Sequence, residues 1–163
     1  MRDRSPKMLV LGIGNPSCGD EAVGPAVAKR IRHFDENGVH TQIVPSDASS
    51  IIAAMKGFSY VVIVDAIHSR GATGAMHVFD ASRRALPSGL FEGYSTHEMG
   101  LDKAIEMARE LGGLPPKLVV LGIEGSSFEP GDPMSPRVEA AIENAVSWIF
   151  ERCESFFLAA PKR

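Results

Sequence analysis

The hydrophobic residues of this chain alternate between short continuous runs and segments with a helical repeat. Short continuous apolar runs are typical of strands that are buried on both faces of a sheet. Such runs, together with weaker alternating ones, predict strands at residues 8–13, 39–44, 60–64, 76–79 and 117–123. Apolar residues that recur every three or four positions indicate helices. They predict helices at residues 21–34, 49–55, 101–111 and 136–150.

This alternation of strands and helices favours βαβ units, whose parallel strands carry helices on both faces. We therefore predict a three-layer α/β/α fold with a mostly parallel, twisted sheet of about five strands. The strand at 76–79 follows a glycine-rich turn and is expected at an edge of the sheet. A length of 163 residues suits one domain. We predict a single domain over 1–163, with its core at about 8–155 and short polar tails.

Composition and charge narrow the possible functions. Hydrophobic residues make up 44% of the chain and charged residues 23%, as in ordinary globular proteins. The net charge is −3 and no large Lys/Arg cluster occurs, which argues against nucleic acid or a membrane as partner. Cys18 and Cys153 lie far apart and form no Cys-x-x-Cys motif, so no disulfide framework, zinc ribbon or iron–sulfur cluster is expected. With no apolar run of membrane-spanning length and no secretory leader pattern, we expect a cytoplasmic protein.

The first candidate site is the segment Gly12–Glu21, directly after the first predicted strand. Ligands of open α/β sheets bind outside the carboxyl ends of the strands. Ser17 stands where a dinucleotide-binding loop needs a glycine, and the acidic pair Asp20 and Glu21 would repel a phosphate at the helix N-terminus. We therefore expect no nucleotide cofactor. Asp20 is interpreted as a helix cap, whereas Glu21 either complements the helix dipole or belongs to a site.

Two further polar residues lie at positions that the same fold brings to this edge of the sheet. Asp65 directly follows the apolar run 60–64, where a carboxylate loses hydration and needs a cation or several hydrogen-bond donors. His97 precedes the helix at 101–111 and is either an ordinary loop residue, an acid–base group or a metal ligand. Together with Glu21 they would offer two carboxylates and one imidazole, which suits a divalent transition metal.

These motifs, in this order and spacing, resemble those of the hydrogenase maturation proteases. The matching segments are Leu11-Gly-Ile-Gly-Asn15, Asp20-Glu-Ala-Val-Gly24, Val64-Asp-Ala66 and His97-Glu-Met-Gly-Leu101. The resemblance runs from about Met8 to the closing helix. It implies an endopeptidase that removes a C-terminal peptide from the nickel-loaded large-subunit precursor of a nickel–iron hydrogenase. It also implies that Glu21, Asp65 and His97 contact nickel supplied by that precursor.

Asp65 is the candidate catalytic residue, because a carboxylate beside the metal can orient or deprotonate the attacking water. Hydrolysis by carboxylates alone, with nickel serving only for recognition, fits the residues equally. The segment Pro45–Ser50 departs from the family, many of whose members carry Gly-Gly-Thr there. Within it, Asp47 matches an acidic residue that members use for substrate recognition, so it is the candidate substrate-binding residue. Cys18 has no recognisable histidine partner and is interpreted as an ordinary loop residue.

Two other functions stay open on the sequence. The first is a nickel-sensing assembly factor that checks the same precursor without cutting it, which the missing glycines near Asp47 keep possible. The second is a small α/β hydrolase or nucleotide enzyme of other specificity, which the carboxylates at the first helix disfavour.

Overall fold

A five-stranded sheet forms the centre of the computed structural model, which describes residues 7–34, 38–91 and 99–159. Its strands are β1 (Met8–Ile13), β2 (His40–Val44), β3 (Tyr60–Ile67), β4 (Met76–Asp80) and β5 (Lys117–Glu124). The strand order is β2-β1-β3-β5-β4, so β2 and β4 are the two edges. All neighbouring pairs are parallel except β4 with β5, which are antiparallel. The predicted mostly parallel sheet, with residues 76–79 at its edge, is confirmed.

Helices cover both faces of this sheet. They are α1 (Val23–Phe34), α2 (Ala48–Met55), α3 (Leu101–Glu110) and α4 (Pro136–Ala159), and a short 3₁₀ turn, Gly19–Ala22, precedes α1. The side chains of Met8 and Val10 pack with α1 and α4, whereas those of Leu9 and Leu11 pack with α2 and α3. This alternation along one strand confirms the predicted three layers. Within the described ranges, no helix has both the length and the hydropathy needed to cross a bilayer.

Two predicted boundaries are wrong. The strand predicted at 60–64 continues to Ile67, so Asp65 lies inside β3, opposite Gly122 of β5, rather than after the strand. Pairing with β5 extends β3 beyond the end of its apolar run. The helix predicted at 136–150 continues to Ala159 because its additional turns still pack on the core: Phe156 meets the Tyr60 ring edge-on, with ring centroids 5.7 Å apart.

The first turn of α1 lies directly against the backbone of the sheet. A Cβ atom at Gly24 would overlap two carbonyl oxygens. One belongs to Ile13, the last residue of β1, and the other to Val64 in β3. A Cβ atom at Gly12 would overlap the carbonyl oxygen of Gly24. Glycine at both positions therefore allows the close approach of α1. The 3₁₀ turn before α1 is thereby held against β3.

We expect Gly24→Ala to lower the free energy of unfolding by about 1–3 kcal/mol, because the added methyl group must displace backbone carbonyls. Gly113→Ala is a matched control, since its Cβ would meet nothing closer than the Ala108 carbonyl oxygen at 3.6 Å. That control should stay within about 0.5 kcal/mol of wild type. Urea unfolding followed by circular dichroism measures both variants. Wild-type stability of Gly24→Ala would contradict the need for this close packing.

Candidate functional site

A cleft opens where β1 and β2 end at the carboxyl edge of the sheet. Its volume is about 480 Å³, and its walls come from residues within 14–21, 43–46 and 128–130. Much of the lining is apolar, with Ile43, Val44 and Phe128 among its residues, and Glu21 is the acidic member of the lining. A carboxylate therefore faces a largely apolar, open cavity of the size that ligands occupy.

Glu21 reaches the cleft from the 3₁₀ turn that precedes α1. The residue is half-buried, and the backbone N–H of Asn15 donates a hydrogen bond to its Oε2 atom at 3.3 Å. Gly14, just before Asn15, has a φ of 138° and lies so close to the Glu21 carbonyl that a side chain would overlap it. The glycine-rich segment after β1 thus folds around Glu21.

Asp65 lies on β3, the strand next to β1, and the 3₁₀ turn that carries Glu21 contacts this strand. Burial raises the pKa of its carboxyl well above the usual 3.8; a hydrogen bond from the Ala66 backbone opposes this shift, and the negative charge of Glu21 adds to it. The residue is half-buried, so it keeps an opening to solvent. The negative charge of Glu21 therefore acts on Asp65, whose donor within the described residues is the Ala66 backbone.

His97, the third predicted site residue, lies outside the described residues. The residues that flank its segment, Phe91 and Leu101, are both buried in the cluster between the sheet, α2 and α3. Ile63 and Ile67 of β3 belong to the same cluster, and alternation along the strand directs Asp65 to that face. Across residues 7–34, 38–91 and 99–159, no three His, Cys, Asp or Glu side chains group to hold a metal ion.

Asp47 caps helix α2 in the structure. Its Oδ1 atom accepts hydrogen bonds from the Ser50 N–H at 2.8 Å and from the Ser49 hydroxyl at 2.7 Å, and its Oδ2 accepts from the Ser50 hydroxyl at 2.7 Å. These donors hold the pKa of its carboxyl below the usual value. The two residues before it, Pro45 and Ser46, line the cleft. A role of Asp47 in substrate binding stays a prediction.

The interpretation of Asp20 as a helix cap is wrong. Its fully buried carboxylate instead accepts hydrogen bonds from the backbone N–H groups of Ser126, Ser127 and Ser135 and from the Ser135 hydroxyl, at 2.7–3.0 Å. Burial acts to raise the pKa of Asp20, but these donors outweigh it and lower the pKa below its usual value. Asp20 therefore fastens the connection between β5 and α4, which contributes Phe128 and Pro130 to the cleft.

Glu124, the last residue of β5, is a fully buried carboxylate that the sequence reasoning missed. It accepts hydrogen bonds from the N–H and hydroxyl of Ser69, at 2.7 and 2.6 Å, and from the Gly71 N–H at 3.2 Å. It thereby fastens the connection between β3 and β4. Its position after an apolar run was the same signal that pointed to Asp65.

Cys18 also lines the cleft. Burial raises the pKa of its thiol, and the negative charges of Glu21 and Glu129 raise it further. The thiol is therefore kept protonated near neutral pH, unlike an activated nucleophile.

Known proteins resemble this chain in sequence and in structure. A sequence model described as hydrogenase maturation protease matches residues 46–152, a span that includes positions 47, 65 and 97. The hydrogenase 2 maturation protease of Escherichia coli (strain K12) is 28% identical over 146 residues, which is 88% of each chain. The structure of the hydrogenase maturating endopeptidase HybD from E. coli superimposes with a TM-score of 0.75 and 27% identity, over 91% of this chain and 93% of that one. The structure of the [NiFe] hydrogenase maturation protease HycI from Thermococcus kodakarensis KOD1 superimposes with a TM-score of 0.66 and 25% identity, over 93% of this chain and 95% of that one.

The raised pKa of Asp65 predicts a measurable dependence of stability on pH. Because its pKa is higher in the folded than in the unfolded protein, its contribution to stability is fully present below 3.8 and is lost as the pH rises through the folded pKa. Asp65→Asn cannot ionise at this position. We therefore expect this variant to become more stable than wild type as the pH rises from about 4 to 7.

Denaturant unfolding at several pH values measures this difference, and Asp47→Asn provides a control of opposite sign. The pKa of Asp47 is lowered, so its ionised form stabilises the fold above 3.8, and its removal should lower stability toward neutral pH. Parallel pH curves for Asp65→Asn and wild type would contradict the raised pKa.

Proposed function

The chain belongs to the hydrogenase maturation protease family, and we propose that it removes a C-terminal peptide from the nickel-loaded large-subunit precursor of a nickel–iron hydrogenase. The observation that carries this proposal is that Glu21 lines an open cleft and lies on a turn that contacts β3, the strand of Asp65. Two neighbouring carboxylates attract a cation, and a cation between them relieves their repulsion. A metal-bearing protein substrate supplies such a cation.

We infer that nickel arrives held by thiolates of the precursor and docks against Glu21, Asp65 and His97. In support, Glu21 and Asp65 are carboxylates carried by separate elements, and two carboxylates with one imidazole would leave coordination positions open for the thiolates of the precursor. The Leu90 carbonyl accepts a hydrogen bond from the N–H of His68, three positions beyond Asp65, so the chain at Leu90 lies beside the carboxyl end of β3.

Asp65 is the proposed catalytic residue. A carboxylate with a raised pKa accepts a proton more readily than an ordinary aspartate. In the proposed reaction, Asp65 takes a proton from water while the oxygen of that water attacks the peptide carbonyl. The proton then passes to the nitrogen that leaves as the new amino terminus. Docked nickel fixes which peptide bond lies at this point.

Asp47 is proposed to bind the substrate indirectly, by holding the wall of the cleft in position. Its hydrogen bonds to Ser49 and Ser50 fix the start of α2. The chain immediately before it, Pro45 and Ser46, forms part of the cleft in which the peptide would lie. Asp47 would therefore position this wall and contribute negative charge at the rim.

We expect the wild-type protein to cleave nickel-loaded precursor and to leave nickel-free precursor intact. Glu21→Gln and His97→Ala should each lower the cleavage rate by about 100-fold or more, because each removes a charged or coordinating group from the docking site. Gel mobility and the mass of the precursor after incubation report cleavage, and the mass also distinguishes a protease from an assembly factor that does not cut.

Glu139→Gln and His77→Ala are matched controls, because they make the same chemical changes at exposed positions on α4 and β4. Both should cleave at the wild-type rate, and circular dichroism should show all four variants folded. Rapid cleavage of nickel-free precursor by Glu21→Gln or His97→Ala would remove nickel from the mechanism.

Cys18→Ala should retain most of the cleavage activity, because the raised pKa of the thiol leaves little thiolate to act as a nucleophile. The rate of precursor cleavage measures this, with circular dichroism as the test of folding. Cys153→Ala removes the other, buried thiol and controls for loss of a sulfhydryl group. Near-complete loss of cleavage in folded Cys18→Ala would require a thiol mechanism.

A further inference from the structure

The edge strand β2 runs into the cleft. It pairs with β1 along one side only, since the sheet order ends at β2. Its last two residues, Ile43 and Val44, line the cleft together with Pro45 and Ser46, and Glu21 lines the same cavity. A strand edge and the candidate site are therefore continuous.

The backbone N–H and C=O groups of Ile43 point away from β1. In a strand, the N–H and C=O of one residue face one side, and those of the next residue face the other side. The Val44 carbonyl accepts a hydrogen bond from the Gly14 N–H on the β1 side, at 3.4 Å. Ile43 and Thr41 must therefore direct their N–H and C=O groups to the open edge.

The positions on either side of Ile43 are less available for pairing. The Arg32 guanidinium of α1 donates a hydrogen bond to the Thr41 carbonyl at 3.4 Å and another to the Thr41 hydroxyl at 2.9 Å. Pro45 has no N–H to donate. Natural edge strands are commonly blocked in this way against pairing with other chains. Within the described ranges, nothing hydrogen-bonds the outward N–H or C=O of Ile43.

We propose that the Ile43 backbone binds the peptide segment next to the scissile bond as a short additional strand of the sheet. This inference rests on the proposed function, because an endopeptidase must hold its substrate as an extended chain. One residue of an extended peptide offers a C=O and an N–H to the N–H and C=O of Ile43. Its neighbouring side chains then alternate between solvent and the apolar cleft wall, where Val44 and Phe128 lie.

Ile43→Pro tests this pairing, because proline removes the outward N–H. The hydrogen bonds of β2 to β1 come from Gln42 and Val44, the residues on either side of Ile43. Proline is tolerated at edge positions whose N–H faces solvent. Ile43→Val is the matched control, since it keeps the N–H and the branched side chain. With a nickel-loaded precursor that wild type cleaves, the KM of Ile43→Pro should rise about tenfold, the effect of one hydrogen bond. The KM of Ile43→Val should stay at the wild-type value.

Hydrogen exchange gives a second readout that does not depend on the folding of Ile43→Pro. In Asp65→Asn saturated with the same precursor, exchange of the Ile43 amide should slow at least about tenfold, whereas the Val44 amide is already protected by β1. An unchanged KM in folded Ile43→Pro, or an Ile43 amide that exchanges equally fast in the complex, overturns the edge pairing and leaves the protease function intact. Failure of wild type to cleave nickel-loaded precursor instead contradicts the proposed function.

Discussion

Helix α1 packs directly against the backbone of β1 and β3, and this contact fixes where Glu21 lies relative to Asp65. Gly24 lies against carbonyl groups of both strands, so the turn that carries Glu21 cannot withdraw from Asp65 unless α1 leaves the sheet. Val23, Val27 and Ile31 of α1 are fully buried, and burial of each such side chain stabilises the fold by about 1.5–3 kcal/mol. Apolar packing therefore keeps Asp65 beside the negative charge of Glu21, which together with burial raises the pKa of the Asp65 carboxyl.

The carboxylates of this edge differ in how many donors surround them. Asp20 and Glu124 are completely buried, and each receives several hydrogen bonds from loop N–H and hydroxyl groups, so both fasten chain connections. Asp65 has the Ala66 backbone as its donor and the carboxylate of Glu21 as a neighbour, and its pKa is raised, whereas the pKa of Asp20 is lowered. The supply of donors, more than burial, separates the structural carboxylates from the candidate catalytic one.

Hydropathy predicted the layers of this fold because the central strands are buried on both faces and leave continuous apolar runs. It could not predict that Asp65 lies inside β3, since the strand is extended there by pairing with β5, a contact distant in sequence. The error for Asp20 has the same origin: its donors lie 106 to 115 positions away in the chain, whereas a cap would be local. Glu21 and Asp65 could be singled out from the sequence because Glu21 follows a glycine-rich segment and Asp65 follows an apolar run. The ends of these two segments must meet at one edge of a parallel sheet.

Under the proposed function, the selection of substrate follows from charge more than from side-chain fit. Pairing at Ile43 uses only backbone groups, which every extended peptide offers, so it aligns a chain without reading its sequence. Without a cation, the Asp65 carboxylate is held back by burial and by Glu21 from ionising, and a metal-free precursor does nothing to change this. A docked cation favours the ionised form, because metal binding and proton release are linked. In the proposed reaction, the ion that marks a mature precursor would therefore favour the anionic form of Asp65, which accepts a proton from water, and cleavage would depend on nickel.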